Sequence, residues 1–418
     1  MMRKLAIVFF ALLAGCTSLR SYRTAPPFGP VEHFDDGAGH PIDLAFVEID
    51  DHGLYWDDRE IDAALRTIEE AAKPAPGHDG AEVVVFTHGW TDNARTPDGE
   101  NTTVTEFRND LLTRISLHEH QRAEKALRLP RRVVGVYVAW RGRSIWQPAF
   151  VTSYYDRNGA AERVADTHAT ATFRSLIAKT RERSSSRILI IGHSMGGLIT
   201  ERALGPTLVT NALVGKATAE MPDLVVLENQ ASSATEALGD IWALRDKPPI
   251  VPALTNEFLN IPTSQRPIFV SVTSATDWAT GLALPIGTYL GSLFQRFRGW
   301  GGTPVETSGL PGERSVYAHT VGHLSQLYSH TMTYTNTQSI ATRTPADLPV
   351  PCEGTASVPE LCFRVGPDKF EMKPVPHAWN QTHYWVMQAP KTVINGHTDV
   401  WNPVWVNCLI GLLETLTD

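Results

Sequence analysis

The sequence predicts an α/β protein with a mostly parallel central sheet and helices on both faces, and three observations carry that prediction. From about residue 44, short apolar runs rich in β-branched residues alternate with longer helical segments. The runs are apolar on consecutive residues, as strands covered from above and below by helices require. A glycine-rich turn also lies between one such run and a helix, at the carboxyl end of the strand, where open parallel sheets collect their functional loops.

Leu44–Ile49 reads as a strand, and Arg59–Ala72 as a helix with Ile61, Ala64, Leu65 and Ile68 at helical spacing. Val83–Phe86 is a short apolar strand, Glu106–Leu127 a helix, Val133–Val138 the next strand and Arg157–Arg181 a further helix. Ile188–Ile191 is a strand of aliphatic residues only, and the helix Leu198–Leu204 behind it should stop at Gly205-Pro206. Leu224–Leu227, Ile268–Val272 and Tyr384–Met387 complete the strands, and Val404–Leu416 the helices.

The chain has 418 residues, of which 42% are hydrophobic and 20% charged, an ordinary globular balance. Its formal charge of −8, with no dense basic block, makes it a poor nucleic-acid binder. The most basic stretch, Arg122 to Arg132, reads as the solvated face and end of a helix.

The N-terminus reads as an address. Arg3 and Lys4 precede an apolar run, Leu5–Ala14, that is too short to span a bilayer but suits a signal sequence. Leu13-Ala14-Gly15-Cys16 then resembles the lipobox of bacterial lipoproteins. That resemblance implies that residues 1–15 are a signal peptide, removed as Cys16 is acylated, which takes the formal charge to −10. Each buried CH₂ of such chains contributes roughly 0.8 kcal/mol to anchoring. Thr17, in place of an aspartate, implies the outer membrane of a Gram-negative envelope, facing the periplasm. Residues 16–38, with Pro26, Pro27, Gly29 and Pro30, read as a tether, and 39–418 as one globular domain.

Ile188-Leu189-Ile190-Ile191-Gly192-His193-Ser194-Met195-Gly196-Gly197 is the most informative segment. A buried strand followed by Gly-x-Ser-x-Gly and a helix start is the setting in which a tight turn presents a nucleophilic serine, here Ser194. Gly192 and Gly196 are required where neighbouring backbones leave no room for a Cβ, and the helix end beyond Ser194 favours developing negative charge. A second strand, Val83–Phe86, runs into Thr87-His88-Gly89-Trp90. The amide after the nucleophile and one from the loop after this strand form the oxyanion hole of such folds, which selects Met195 and Trp90. One such donor contributes roughly 2.7–4 kcal/mol to transition-state stabilisation.

The His88-Gly89 pair and Gly192-His193-Ser194-Met195-Gly196-Gly197 together resemble the α/β-hydrolase superfamily, lipases and esterases especially, over roughly residues 80–280. Gly135-Val136-Tyr137-Val138-Ala139-Trp140-Arg141-Gly142 and Thr273 to Gly281 are also similar to a group of bacterial hydrolases that are often lipoproteins. The resemblance implies an α/β-hydrolase fold and the chain order nucleophile, acid, histidine. Asp277, in the turn-rich loop after Ile268–Val272, is the preferred acid, and Glu228, closing Leu224–Leu227, the alternative. His397 follows Asn395-Gly396, a strong turn signal between the last strand and the last helix, and is the expected base. His323, His330, His377 and His383 are its rivals.

The 120 positions from Asp277 to His397 exceed what one helix and one strand need, so 279–383 reads as an insertion and a candidate lid. Trp278, Leu282, Leu284, Tyr289, Leu290 and Phe294 either line an acyl pocket or pack a helix. His319, His323 and His330 have helical spacing but no carboxylate partner, and no metal site or organic cofactor is expected. In an oxidising compartment Cys352 and Cys362 can pair, leaving Cys408 buried in the last helix.

The function implied is hydrolysis of a small-molecule or lipid carboxylic ester by Ser194, Asp277 and His397, on a protein held to the membrane by its lipid. An amidase or peptidase with the same triad, or a surface lipoprotein that only binds, are the alternatives.

Overall fold

A computed structural model describes residues 21–24, 28–95, 102–143, 153–214, 220–244, 267–292, 295–297, 311–336, 348–352, 360–376 and 383–417. Cys16 and the signal sequence lie outside the described residues, as do His377 and Phe294. In chain order the elements are β1 (Val31–Asp35), β2 (Pro41–Ile49), α1 (Asp58–Ala72), β3 (Ala81–Thr87), α2 (Thr103–Glu106, Phe107–Leu112 and Thr113–Lys125 end to end) and β4 (Arg132–Trp140). Next come α3 (Tyr154–Val164, Ala165–Ala169 and Thr170–Arg181), β5 (Arg187–His193), α4 (Met195–Val214), β6 (Leu224–Glu228), α5 (Ala234–Leu244) and β7 (Phe269–Ser274). The chain continues through α6 (Ala279–Ala283 and Leu284–Gly291), α7 (Glu313–Ala318), β8 (His330–Asn336), β9 (Pro349–Pro351), β10 (Leu361–Val365), β11 (Asp368–Pro374), β12 (Tyr384–Ala389) and α8 (Pro403–Thr417).

The expected α/β architecture is present. Eight strands form one sheet in the order β1-β2-β4-β3-β5-β6-β7-β12, and every pair is parallel except β1 with β2. Period-two geometry splits each apolar run between two cores. Val83, Val85, Ile188 and Ile190 pack beneath α1, α3, α4 and α5, whereas Val84, Phe86, Leu189 and Ile191 face α2 and α8. Full burial of each such side chain contributes roughly 1.5–3 kcal/mol. No helix among the described residues is long and apolar enough to cross a membrane.

Three expectations need correction. Part of the stretch read as a tether is folded: β1 lies within it, pairing Val31 with Ala45 at the sheet edge. Arg23 is buried, giving its Nε–H to the Ala94 carbonyl (2.9 Å) and stacking its guanidinium 3.4 Å from the Phe46 ring centre. Edge pairing and cation–π packing leave no hydrophobic period in the sequence, which is why the segment reads as linker. Second, α4 runs through Pro206 to Val214 instead of stopping. Leu204, Leu208 and Val209 are buried along it, and that burial outweighs the hydrogen bond that proline removes.

Third, the three histidines of the insertion do not share one helix. His319 caps α7, His323 lies in the short 3₁₀ turn Val321–His323, and His330 opens β8. Its strands make a separate antiparallel sheet, β8-β11-β10-β9, whose Phe363, Phe370 and Met372 join the core around α8. A Cβ on Gly411 of α8 would collide with the Phe363 ring, so glycine is what lets this sheet dock. The Cys352–Cys362 disulfide forms as expected, joining β10 to the residue after β9, and Cys408 is a buried free thiol in α8.

Candidate active site

Five strand ends converge on one open cleft of ≈ 910 Å³ at the carboxyl edge of the sheet. Ser194 follows β5 and precedes α4 with φ of 56°, a left-handed backbone that a β-substituted residue adopts only under constraint. The constraint is steric. A Cβ on Gly192 would come 2.6 Å from the Gly196 carbonyl oxygen, and one on Gly196 would collide with the Thr87 carbonyl. Gly89, after β3, passes so close that its own Cβ would sit 2.9 Å from the Ser194 Cβ. The next residues, Trp90 and Thr91, line the cleft, and Thr91 is itself at φ 79°. Met195 is buried at the head of α4.

His397, from the loop between β12 and α8, places Nε2 2.8 Å from Ser194 Oγ, while its Nδ1 lies 2.9 Å from Asp277 Oδ2. The three residues selected from sequence are thus one hydrogen-bonded chain. Burial acts to raise the Asp277 carboxyl, but the hydrogen bond and charge of His397, with donors from Thr280, outweigh it and hold the group below the ordinary carboxylate range. Asp277 Oδ1 also accepts the Ala279 N–H (2.9 Å) and the Thr280 N–H (3.2 Å). An ionised Asp277 takes the Nδ1–H of His397 and leaves Nε2 as the acceptor facing the serine hydroxyl.

Glu228, the other acid candidate, is buried at the end of β6 and accepts instead from Trp405 Nε1 (2.6 Å). Burial pushes its carboxyl up to about 8. His88 is buried and pushed down to about 4 by desolvation, hence neutral. Its Nδ1–H donates to the Gly89 carbonyl (2.9 Å) and its Nε2 accepts the Trp140 N–H (3.1 Å), so it shapes the β3 loop. Of the rival histidines, His330 packs against Trp385 with ring centres 4.0 Å apart, and the His383 carbonyl accepts the Ile268 N–H (2.7 Å). His323 stands behind Thr280 (2.9 Å), whose hydroxyl donates to Asp277.

The residues that hold His397 were not visible in the sequence. Burial and the neighbouring His397 push His193 down to about 3, so it is neutral, and its Nε2–H donates to the His397 carbonyl (2.8 Å). Asn229, at φ 46°, donates Nδ2 to the Gly396 and His397 carbonyls (3.1 and 2.8 Å) and accepts the Ser274 N–H (2.7 Å). Ser274 Oγ donates to the Ile394 carbonyl (2.7 Å). The available signal was position: each directly follows, or closes, a strand at the sheet's carboxyl edge.

Trp278, 68% exposed, and Trp401 give the cleft apolar walls, while Asp92, Glu106 and Arg143 give it a polar one. Burial pushes Asp92 up to about 6 and Glu106 up to about 7, the latter with help from Asp92 and Asp110. Leu284 is buried, Leu282 is exposed on α6, and Tyr289 stacks edge-on with His319. The Leu290 side chain lies outside the described residues. Among the described residues, metal-ligating side chains gather only at Asp36, His40 and His120, beyond β1. There one ligand atom of each residue lies within 4.8 Å of the others, and the two imidazoles stack face to face, 3.5 Å apart and 11° from parallel.

No family model matches the chain, and no curated protein does. Among solved structures, an uncharacterized protein from Pseudomonas aeruginosa is similar at 12% identity with a TM-score of 0.22, the match covering 52% of this chain and 38% of that one.

Proposed function

We propose that this chain is a serine hydrolase with an α/β-hydrolase fold that cleaves carboxylic esters through Ser194, His397 and Asp277. The observation that carries the reading is the unbroken Ser194–His397–Asp277 hydrogen-bond chain, its serine on a strained strand-to-helix turn that opens into the cleft. His397 Nε2 takes the hydroxyl proton as Oγ adds to the acyl carbon. Asp277 holds the Nδ1–H tautomer and stabilises the imidazolium that forms. The Met195 and Trp90 amides receive the oxyanion, at the head of α4 and in the loop pressed against the nucleophile. His397 then protonates the leaving alcohol, and water attacks the acyl-enzyme by the same route in reverse.

The cleft supports an ester over a simpler acyl substrate by its two-sided chemistry. Trp90, Trp278 and Trp401 suit an acyl group, and Asp92, Glu106 and Arg143 suit a polar alcohol. The anchor on Cys16 would set this chemistry at a membrane surface; replacing Cys16 by Ser should abolish incorporation of labelled fatty acid into the protein, because serine lacks the thiol that accepts the lipid.

A chromogenic ester panel across acyl lengths, run on the wild type and Ser194→Ala, tests the proposal. Turnover that falls by on the order of 10⁴-fold or more in the variant is the expected result. Equal turnover by both proteins would reject Ser194. Fluorophosphonate labelling of Ser194 without ester turnover would instead indicate an amidase or peptidase, and no labelling would indicate a protein that only binds.

A further inference from the structure

We infer that His323 and Thr280 are positioning residues for Asp277, so that the insertion between acid and histidine serves the reaction from behind the acid; the inference rests on the hydrolase reading above.

Thr280 Oγ1 lies 2.5 Å from Asp277 Oδ2, the same oxygen that receives His397 Nδ1, and 2.9 Å from His323 Nε2. Proton counting fixes the directions. An ionised carboxylate only accepts, so the one Thr280 hydroxyl proton points at Asp277. The threonine oxygen must then accept from His323, which places a proton on His323 Nε2. Burial lowers the His323 pKa against the raising influence of Asp277, and His319 and His397, the other titratable groups facing it, lower it further. His323 is therefore a neutral imidazole in its Nε2–H form. The result is a hydrogen-bonded line from the insertion into the triad, in which His323 donates to Thr280, Thr280 and His397 both donate to Asp277, and Ser194 donates to His397.

The packing around His323 is built to hold this line. Its ring lies against Gly281, where a Cβ would stand 2.9 Å from Cε1, so any side chain at 281 would displace the imidazole. Gly322 is pressed against Thr273 of β7, with no room for a Cβ. Tyr328 Oη donates to the Gly322 carbonyl (2.9 Å), closing the turn. The turn is thus fixed to the strand that delivers the acid. A threonine hydroxyl can rotate to other acceptors; one already receiving an N–H from a fixed ring is committed to the carboxylate. Fixing a carboxylate oxygen fixes the imidazole it orients, and small misplacements of such groups lower rate with little effect on binding.

The test compares His323→Ala, His323→Gln, Thr280→Val and Thr280→Ser with the wild type, reading kcat and KM on one ester, together with melting temperature. Gln can return an N–H near the Nε2 position, and Ser returns the hydroxyl. The expected result is a fall in kcat of about 5–20-fold for His323→Ala and about 20–100-fold for Thr280→Val, with KM within about 2-fold. His323→Gln and Thr280→Ser should recover to within about 3-fold of the wild type. Wild-type kcat in His323→Ala and Thr280→Val would overturn the inference. Equal losses in Ala and Gln variants, tracking a lowered melting temperature, would also overturn it by showing that the ring only fills space. Nitrogen-15 spectra of the wild type give a readout independent of activity: His323 should carry its proton on Nε2, and an Nδ1–H form would refute the relay. Fluorophosphonate labelling of wild-type Ser194, run alongside, separates a failure of the relay from a failure of the hydrolase reading.

Discussion

The ends of β6 and β7 carry two buried carboxyl groups on neighbouring parallel strands. Glu228 has a single donor, Trp405 Nε1, and its Oε2 has no hydrogen-bond partner among the described residues; burial dominates, and the group is pushed up to about 8. Asp277 is also hidden from water, yet two backbone amides, a threonine hydroxyl and an imidazole converge on it, and it is held below the ordinary range. Two carboxyl groups hidden from water end as a neutral acid in one place and an anion in the other: Glu228 is the more deeply desolvated, and at Asp277 the number and charge of the donors compensate desolvation. Only the anion can orient an imidazole and stabilise its cation, so the contrast favours Asp277 as the acid of the proposed triad.

The largest effect should come from Asp277→Asn, which keeps the shape but favours the wrong tautomer of His397. Ester turnover should drop by on the order of 10⁴-fold, while Glu228→Gln should stay within about 2-fold of the wild type. Comparable losses in both variants would erase the distinction between the two strand ends. Asn229 sits between them, tied to the Gly396 and His397 carbonyls and to the Ser274 amide. Its replacement by Ala should lower kcat by about 10–100-fold in steady-state assays, since the histidine loop loses its anchor.

Smaller effects concern stability. Trp405→Phe strips Glu228 of its donor and should cost about 1–3 kcal/mol in denaturant unfolding, with turnover retained. Glu228→Gln should change the pH dependence of Tm. A carboxyl whose pKa rises from 4.5 unfolded to about 8 folded binds an extra proton in the native state throughout that interval, so it makes stability fall as pH rises across it and level off above it. The Gln variant should show a shallower fall between those values. An unchanged slope would show that Glu228 does not titrate in that window.

What the sequence determined by itself was local. Periodicity located the parallel strands because a doubly covered strand needs consecutive apolar residues, and the chain from Ile188 to Gly197 carried its own geometry, since the glycines and serine that make the turn are neighbours in sequence. His397 was readable because Asn395-Gly396 marks a loop before the last helix. The tertiary structure alone decided the rest. The choice of Asp277 over Glu228 depends on donors arriving from 280 and 397, and the roles of Asn229, His193 and His323 depend on which carbonyl or hydroxyl each one meets across 43 to 204 positions of chain. The docking of Arg23 and β1, the persistence of α4 past Pro206 and the second sheet against α8 have the same origin. Each is set by a partner distant along the chain, and hydrogen bonds, edge pairing and close packing between distant segments leave no periodic trace in the residues that make them.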